Sequence, residues 1–243
     1  MTTHQTAGIL VIGNEVLSGR TREANAYLAA QKLFDRGCKL GEIAVVPDIQ
    51  EAIVSTLTRL SGQFDAVITS GGIGPTHDDI TMDAVANCLN VALLEHTETL
   101  ELMASHYGRD KLNDGRRRMA RLPDGAMPIL CDKSICPGAH IDNVYVLAGV
   151  PYIFESQLES ILPDFGDGKH PFIRHEIDVE LPESTFAKEL EAIQNGFQDV
   201  EIGSYPRMCG NTPCGKICLS SLDSSALNSA IKDVENMLES IRN

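Results

Sequence analysis

The sequence predicts an α/β protein, a three-layer α/β/α sandwich with a mostly parallel sheet, followed by a small C-terminal α+β module. Over residues 7–162, short apolar runs alternate with amphipathic helical stretches, which is typical of a parallel sheet covered on both faces. The runs are continuously apolar, as buried parallel strands are. Residues 163–171 are rich in Pro and Gly, and the pattern changes after them. We therefore expect one domain at residues 1–165 and a second at residues 171–243.

The elements follow from hydrophobic periodicity and from breaker residues. In the first domain we expect strands at residues 7–12, 40–46, 64–69, 126–130 and 144–147, with a short apolar piece at 91–94. Thr21 is expected to cap the first helix and Gly37 to end it, and further helices are expected at 50–61, 80–90, 97–107, 114–122 and 152–162. Residues 13–19 and 131–138 are expected to be loops. The second module is expected to run β-α-β-β-α, with strands at 172–181, 200–204 and 216–222 and helices at 185–194 and 225–241.

Composition limits the possible functions. The 243 residues include 20 basic and 34 acidic side chains, a net charge of −14, so nucleic acid is not an expected partner. We see no signal peptide and no apolar stretch long enough to cross a membrane, so we expect a cytoplasmic protein. Seven cysteines without a compact framework indicate reduced thiols. Three of them, Cys209, Cys214 and Cys218, lack the spacing of a zinc site.

Residues 70–81, SGGIGPTHDDIT, form the most informative stretch. It joins a buried strand to a helix, and its glycines allow a tight turn and close approach of a ligand to the backbone. Free N–H groups at the following helix start favour an anion. Asp78 and Asp79 would repel a phosphate unless a cation intervened, so we expect a divalent metal (Mg²⁺, Mn²⁺ or Co²⁺) held by these two residues. The alternative is a plain capped turn.

Four loops follow predicted parallel strands and should meet at one edge of the sheet: residues 13–19, 47–48, 71–79 and 149–151. Their carboxylates are the candidates for catalysis: Asp79, Asp78, Asp48 and Glu15. The candidates for ligand and phosphate binding are Gly13, Ser18, Gly71, Gly72, Gly74, Pro75, Thr76, His77 and Gly149. Asp48 alternatively makes an Asx turn, Glu15 a cap or a buried salt bridge, and His77 is as well explained as a surface histidine.

Three further features stay open. Asn25 faces either the cleft or solvent. Lys133 is a candidate phosphate contact, with a surface lysine favoured instead. The basic cluster at residues 116–118 is favoured as a solvated face, with a phosphate clamp as the alternative.

With these residues in view, the chain resembles the molybdopterin-binding superfamily of MoaB, MogA and gephyrin-like domains. The matching pieces are residues 13–19, 25–26, 46–48, 71–81, 149–151 and 203–206. The likeness is greatest to the branch with the N-terminal domains of CinA and of eukaryotic FAD synthase. It implies the three-layer fold with an appended α+β domain, and self-association into a homo-oligomer.

The resemblance also implies a ligand. The CinA-like branch is linked to metal-dependent hydrolysis of ADP-ribose-type pyrophosphates, and the FAD synthase domain to FAD hydrolysis. MogA-like members adenylylate molybdopterin, and aspartates matching Asp48 and Asp79 belong to their site. Asp78 stands where those members usually have Arg, which favours the hydrolase branch. His77 is similar to the FAD synthase version, whereas residues 131–138 and Ala148 depart from the CinA pattern.

The leading hypothesis is therefore a metal-dependent nucleotide pyrophosphatase acting on ADP-ribose or FAD. One alternative is a protein that binds or adenylylates molybdopterin, and the other is a non-catalytic nucleotide-binding adaptor. The expected partner is thus a small nucleotide or pterin. The chain ends where CinA continues into an amide-hydrolase domain and FAD synthase into an adenylyltransferase domain, so neither of those activities is expected.

Overall fold

The computed structural model describes residues 3–210 and 212–242. The chain divides into two compact units, Met1–Lys169 and His170–Asn243. Each unit has its own sheet and its own buried core. Among the helices of the described ranges, none combines the length and the apolar character that a bilayer span requires.

The first unit is built on a mixed sheet. Its strands are β1 Thr6–Ile12, β2 Lys39–Val46, β3 Ala66–Ser70, β4 Leu93–Glu95, β5 Arg121–Pro123, β6 Met127–Cys131, β7 Ser134–Ile141 and β8 Val144–Leu147. Six of them form one sheet in the order β2-β1-β3-β8-β7-β6. The first four in that order are parallel, and β7 and β6 pair antiparallel. β4 and β5 form a separate antiparallel pair.

Helices cover both faces of this sheet. They are α1 Asn14–Leu17, α2 Asn25–Arg36, α3 Gln50–Gln63, α4 Thr81–Leu89, α5 Thr97–Tyr107, α6 Asp114–Arg118 and α7 Pro151–Ile161. Alternate side chains of β1 enter two separate cores: Ile9 and Val11 pack on the side of α2 and α7, whereas Leu10 and Ile12 pack on the side of α3 and α4. The three-layer prediction is confirmed.

The second unit consists of β9 Ile173–Val179, α8 Ala187–Gly196, β10 Glu201–Cys209, β11 Thr212–Ser221 and α9 Ser224–Arg242. Its antiparallel sheet has the order β10-β11-β9. Ile217 and Leu219 of β11 are buried with Leu227 and Val234 of α9. The predicted β-α-β-β-α order is confirmed.

The structure corrects several local predictions in the first unit. Residues 131–138 are not a loop, because most of them belong to β7, which is paired on both sides. The helix expected at 114–122 ends at Arg118, since residues 121–123 pair with β4. Residues 14–17 form the short helix α1 within the expected loop. Thr21 does not cap α2, because the Glu23 carboxylate accepts hydrogen bonds from the N–H groups of Asn25 and Ala26.

The prediction of uniformly reduced thiols is wrong, because Cys209 and Cys214 form a disulfide. The β10–β11 hairpin brings them together: Cys209 pairs with Thr212, and Cys214 pairs with Arg207 on the opposite strand. The Cα atoms of the two cysteines are consequently 5.8 Å apart, a separation that disulfides commonly span. Cysteine spacing alone does not reveal a hairpin, so this pairing could not be predicted from the sequence.

Candidate functional site

A cavity of about 440 Å³ lies at the edge of the sheet where the four parallel strands end. We call it the acidic pocket. Eight of the predicted site residues line it: Glu15, Asp48, Gly71, Gly72, Gly74, Asp78, Asp79 and Gly149. The four loops therefore meet there, because parallel neighbouring strands present their carboxyl ends on the same side.

At the floor of the pocket, backbone segments that follow different strands pack very closely against one another. Gly71 has φ +104°, and a Cβ on it would lie 2.3 Å from the carbonyl oxygen of Ile12. A Cβ on Gly149 would lie 3.1 Å from Cα of Gly71. The Thr81 hydroxyl donates to the Gly71 carbonyl at 2.8 Å, which ties the turn to the start of α4. The ends of β1, β3 and β8 thus meet with no room for side chains.

Asp78 and Asp79 are held side by side by Thr76. The Thr76 hydroxyl oxygen lies 2.6 Å from Oδ1 of Asp78 and 2.5 Å from Oδ2 of Asp79, and its backbone N–H donates to the same Asp79 oxygen at 2.9 Å. A hydroxyl has one proton, so it bonds one carboxylate at a time. The hydrogen bond from Thr76 lowers the pKa of Asp78, which keeps that carboxylate ionised at neutral pH.

Asp48 and Glu15 occupy neighbouring loops on the same edge. Asp48 Oδ2 accepts a hydrogen bond from the Asn14 N–H at 2.8 Å, which joins the loop after β2 to the loop after β1. The Glu15 carboxylate lies over Gly13, with its oxygens 2.6 and 2.7 Å from where a Cβ of that glycine would stand. Ser18 lies outside the lining, and its hydroxyl donates to the Glu15 carbonyl at 3.3 Å.

Asn25 is buried and faces the floor of the pocket rather than solvent. Its Nδ2 donates to Ser70 Oγ and to the Gly149 carbonyl, both at 2.9 Å. These bonds connect the ends of β3 and β8 through one amide group. Asn25 therefore positions two loops of the pocket without lining it.

Other predicted residues lie elsewhere. Pro75 and His77 border a second depression, and Thr76 sits inside the turn with its hydroxyl on the two carboxylates. Gly13 is not in the lining, and Lys133 pairs with Asp132 at 3.1 Å. The sequence pointed to Gly13, Pro75, Thr76 and His77 through their position in a motif, which does not fix where each residue faces. For Lys133 a surface lysine was the favoured interpretation, and its side chain is half exposed.

Part of the lining was missed. Met119 and Cys136 border the pocket, with their sulfur atoms 3.4 Å apart, and Ser134 lies beside them. Burial raises the pKa of the Cys136 thiol, so it stays protonated at neutral pH. No signal in the sequence identified these side chains, because they come from the end of α6 and from β7, which was expected to be a loop.

The lining has an unusual charge balance for a site built on a glycine-rich turn. Its described residues include four carboxylates, Glu15, Asp48, Asp78 and Asp79, and no lysine or arginine. Within residues 3–210 and 212–242, no group of three or more His, Cys, Asp or Glu side chains is arranged to hold a metal ion. Asp78 and Asp79 are the two adjacent carboxylates of the lining from which a metal ligand set would have to start.

Comparison with known proteins agrees with this geometry. Residues 8–174 match the family described as "Probable molybdopterin binding domain". The chain belongs to this molybdopterin-binding domain family. This match includes every residue that lines the acidic pocket. Residues 171–242 of the same chain match a second family, "FAD synthase, middle domain".

Alignments with individual relatives extend over most of the chain. A protein of Pyrococcus furiosus is 37% identical over 220 residues, 84% of this chain and 86% of the relative. One of Archaeoglobus fulgidus is 30% identical over 236 residues, 96% and 98% of the two chains. The crystal structure of CinA from Thermoplasma acidophilum, a protein described as of unknown function, is 30% identical with a TM-score of 0.63. It covers 66% of this chain and 97% of its own. The predicted family resemblance is confirmed.

Proposed function

We propose that this protein is a metal-dependent nucleotide pyrophosphatase acting on substrates of the ADP-ribose or FAD type. The supporting observation is the charge of the pocket: four carboxylates and no basic side chain line it beside the turn 71–74. Within the described part of the chain, the backbone N–H groups of Gly72 and Gly74 have no hydrogen-bond partner. Such a lining repels a bare pyrophosphate, whereas a divalent cation held by the carboxylates would make the two compatible.

The residues have distinct roles in this proposal. Backbone N–H groups of Gly72 and Gly74 bind a phosphate, as N–H groups near a helix start do. Asp78 and Asp79, kept together by Thr76, hold the cation, which when bound neutralises charge and polarises the pyrophosphate. A carboxylate outside that pair, Asp48 or Glu15, accepts the proton of the attacking water. The apolar part of the lining contacts the nucleoside: Ile12, Ile73, Val150 and Ile153.

The test is a substrate panel. Purified protein is incubated with ADP-ribose, FAD and NAD in the presence of Mg²⁺, Mn²⁺ or Co²⁺, and AMP is followed by chromatography. We expect AMP from at least one substrate, no release in EDTA, and a loss of about 100-fold in Asp79→Asn because the cation loses a charged ligand. Asp124→Asn makes the same change of charge at an exposed residue outside the pocket and should keep the activity.

The proposal is wrong if Asp78→Asn combined with Asp79→Asn leaves metal-dependent turnover intact. The second candidate is a protein that binds or adenylylates molybdopterin, and the family description names the binding. That function predicts a fluorescent pterin that co-purifies with the protein, and no AMP release from the panel. A non-catalytic adaptor predicts nucleotide binding by calorimetry without any product.

A further inference from the structure

The turn that carries Asp78 and Asp79 also borders a second, open depression of about 500 Å³. We call it the arginine pocket. Its lining includes Pro75, His77, Glu95, Arg117, Arg118 and Arg121. Helix α6 packs against the turn, because a Cβ on Gly115 would lie 3.3 Å from Cβ of Pro75. The acidic pocket and the arginine pocket thus share the turn 74–79 as a common border.

The three guanidinium groups of this pocket keep unused donors. Arg117 pairs with Glu95 through Nη1 at 3.1 Å, and Arg121 pairs with Asp83 through Nη2 at 3.5 Å. Arg118 uses Nη2 for Asp83, at 3.6 Å. Within the described part of the chain, the other terminal nitrogen of each group has no protein partner. The buried Nε atoms of Arg118 and Arg121 also have none.

The arginine pocket differs from the acidic pocket because its lining includes basic side chains. The chain has a net charge of −14, and the neighbouring acidic pocket is lined by four carboxylates. Three arginines and two carboxylates, Glu95 and Asp114, line the arginine pocket, and Asp83 pairs with Arg118 and Arg121 from outside the lining. Guanidinium groups with free N–H donors match the several oxygens of a phosphate and bind it with paired hydrogen bonds. The sequence favoured a solvated face for residues 116–118, whereas Arg117 and Arg118 line one depression together with Arg121.

We propose that the arginine pocket binds a phosphate monoester on the ribose of a nucleotide whose pyrophosphate lies in the acidic pocket. This inference rests on the proposed function, and it names the substrate class: a nucleotide with a phosphate beyond its pyrophosphate, such as ADP-ribose 2′-phosphate. In this proposal one ligand crosses the turn 74–79, which borders both pockets. Free inorganic phosphate has the same chemistry and is the alternative source.

The variants are chosen to leave the acidic turn intact. Arg118 is not substituted, because its Nη2 donates to the Asp79 carbonyl at 2.9 Å. Arg117→Gln combined with Arg121→Gln removes two of the three guanidinium groups. Their ion pairs are partly exposed, so the expected cost to folding is small, and thermal melting checks it. Arg109→Gln makes the same kind of charge change at an exposed position outside the lining and is the matched control.

The experiment is calorimetry in Mg²⁺ with α,β-methylene analogues of ADP-ribose, with and without the 2′-phosphate, so that no hydrolysis occurs. We expect the 2′-phosphate to tighten binding by about ten-fold in the unmodified protein and in Arg109→Gln. In the double variant the two analogues should bind within about two-fold of each other. If that variant does not fold, Arg117→Gln alone should give an intermediate ratio.

Inorganic phosphate is titrated in parallel. Binding of free phosphate that is lost in the double variant, with no effect of the 2′-phosphate, supports a phosphate site supplied by the free anion. An equal affinity for both analogues and no binding of inorganic phosphate overturns the inference. Hydrolysis of ADP-ribose in the substrate panel is independent of these affinities, so an active enzyme that neither discriminates between the analogues nor binds inorganic phosphate refutes only the arginine pocket. If the unmodified protein binds the 2′-phosphate analogue about ten-fold more tightly but hydrolyses no substrate of the panel, only the pyrophosphatase proposal is refuted.

Discussion

Single residues decide whether the acidic pocket forms. The carbonyl of Ile12 packs so closely against Gly71 that any side chain at position 71 would clash with it. The Asn25 amide donates hydrogen bonds to Ser70 and to Gly149 and so connects them. The sequence singled out Gly71 as part of a motif, since glycine is the residue for tight turns. It left the direction of Asn25 open, because the partners of that side chain are far away in the chain.

Gly71→Ala should destabilise the protein. The new Cβ meets a backbone oxygen at 2.3 Å at a φ of +104°, so we expect the free energy of unfolding to fall by about 2 kcal/mol or more. Gly62→Ala is the control, because that glycine lies in α3 with no atom within 4 Å of the new Cβ, and Ala favours a helix. Urea denaturation measures both, and a Gly71→Ala protein as stable as Gly62→Ala would contradict the packing of the pocket floor.

At the scale of elements, β1 is anchored at its start by contacts with the end of the unit. The backbone N–H of His4 donates to the Asp164 carbonyl, and the backbone carbonyl of His4 accepts from the Gly166 N–H, both at 2.8 Å. Its ring Nε2 lies 3.1 Å from the Tyr145 hydroxyl, and the ring packs on Phe165. The ring is therefore partly removed from water at the base of the sheet.

These contacts predict a pH dependence of stability. Burial lowers the pKa of His4 below its usual 6.5, so the unfolded chain takes up this proton more readily than the folded one. The stability contributed by neutral His4 is thus present above about pH 6.5 and is lost as the pH falls towards the folded-state pKa. Urea denaturation between pH 7.5 and 5.5 should show a shallower decline in His4→Gln than in the unmodified protein.

His77→Gln is the matched control for that series, because the His77 side chain is 97% exposed. It should follow the unmodified protein. An identical slope in all three proteins would show that His4 does not contribute to the decline.

Helices and strands with a strong hydrophobic periodicity could be predicted from the sequence. Those that form only by pairing with distant segments of the chain could not. The helix at 97–107 has the predicted bounds, and Gly37 ends α2 in a left-handed conformation as predicted. Strand β7 was missed because Pro137 and Gly138 are typical of loops, and its pairing with β6 and β8 outweighs that local preference. The α2 cap was assigned to the wrong residue for a related reason, since the long Glu23 side chain reaches back to N–H groups that Thr21 was expected to serve.

At the scale of the whole molecule, the two units differ in what stabilises them. All residues that line the acidic pocket lie in the first unit, whereas the disulfide lies in the second. Ligand binding stabilises only the unit that binds, and a disulfide stabilises the unit whose unfolded chain it constrains. Self-association, which the family resemblance implies, stays a prediction that light scattering checks.

Scanning calorimetry should resolve two transitions with separate responses. Mg²⁺ with a non-hydrolysable ADP-ribose analogue at about 100 times its Kd should stabilise the first unit alone, by about 2.7 kcal/mol. Dithiothreitol should destabilise the second unit alone, by about 2 kcal/mol, and should have no effect on Cys209→Ser combined with Cys214→Ser. One transition that shifts with both additives would contradict this independence.

The sequence by itself determined the fold class and the edge on which the acidic loops meet. Continuous apolar runs indicate buried parallel strands, and parallel strands place the loops of Glu15, Asp48, Asp79 and Gly149 together whatever the details of packing. Only the tertiary structure decided which side chains act on one another there. Thr76 between two aspartates, Cys136 in the lining and three arginines beside the same turn depend on side-chain direction and on pairing between distant segments. The energies of such contacts exist only once the chain has folded, so no local pattern records them.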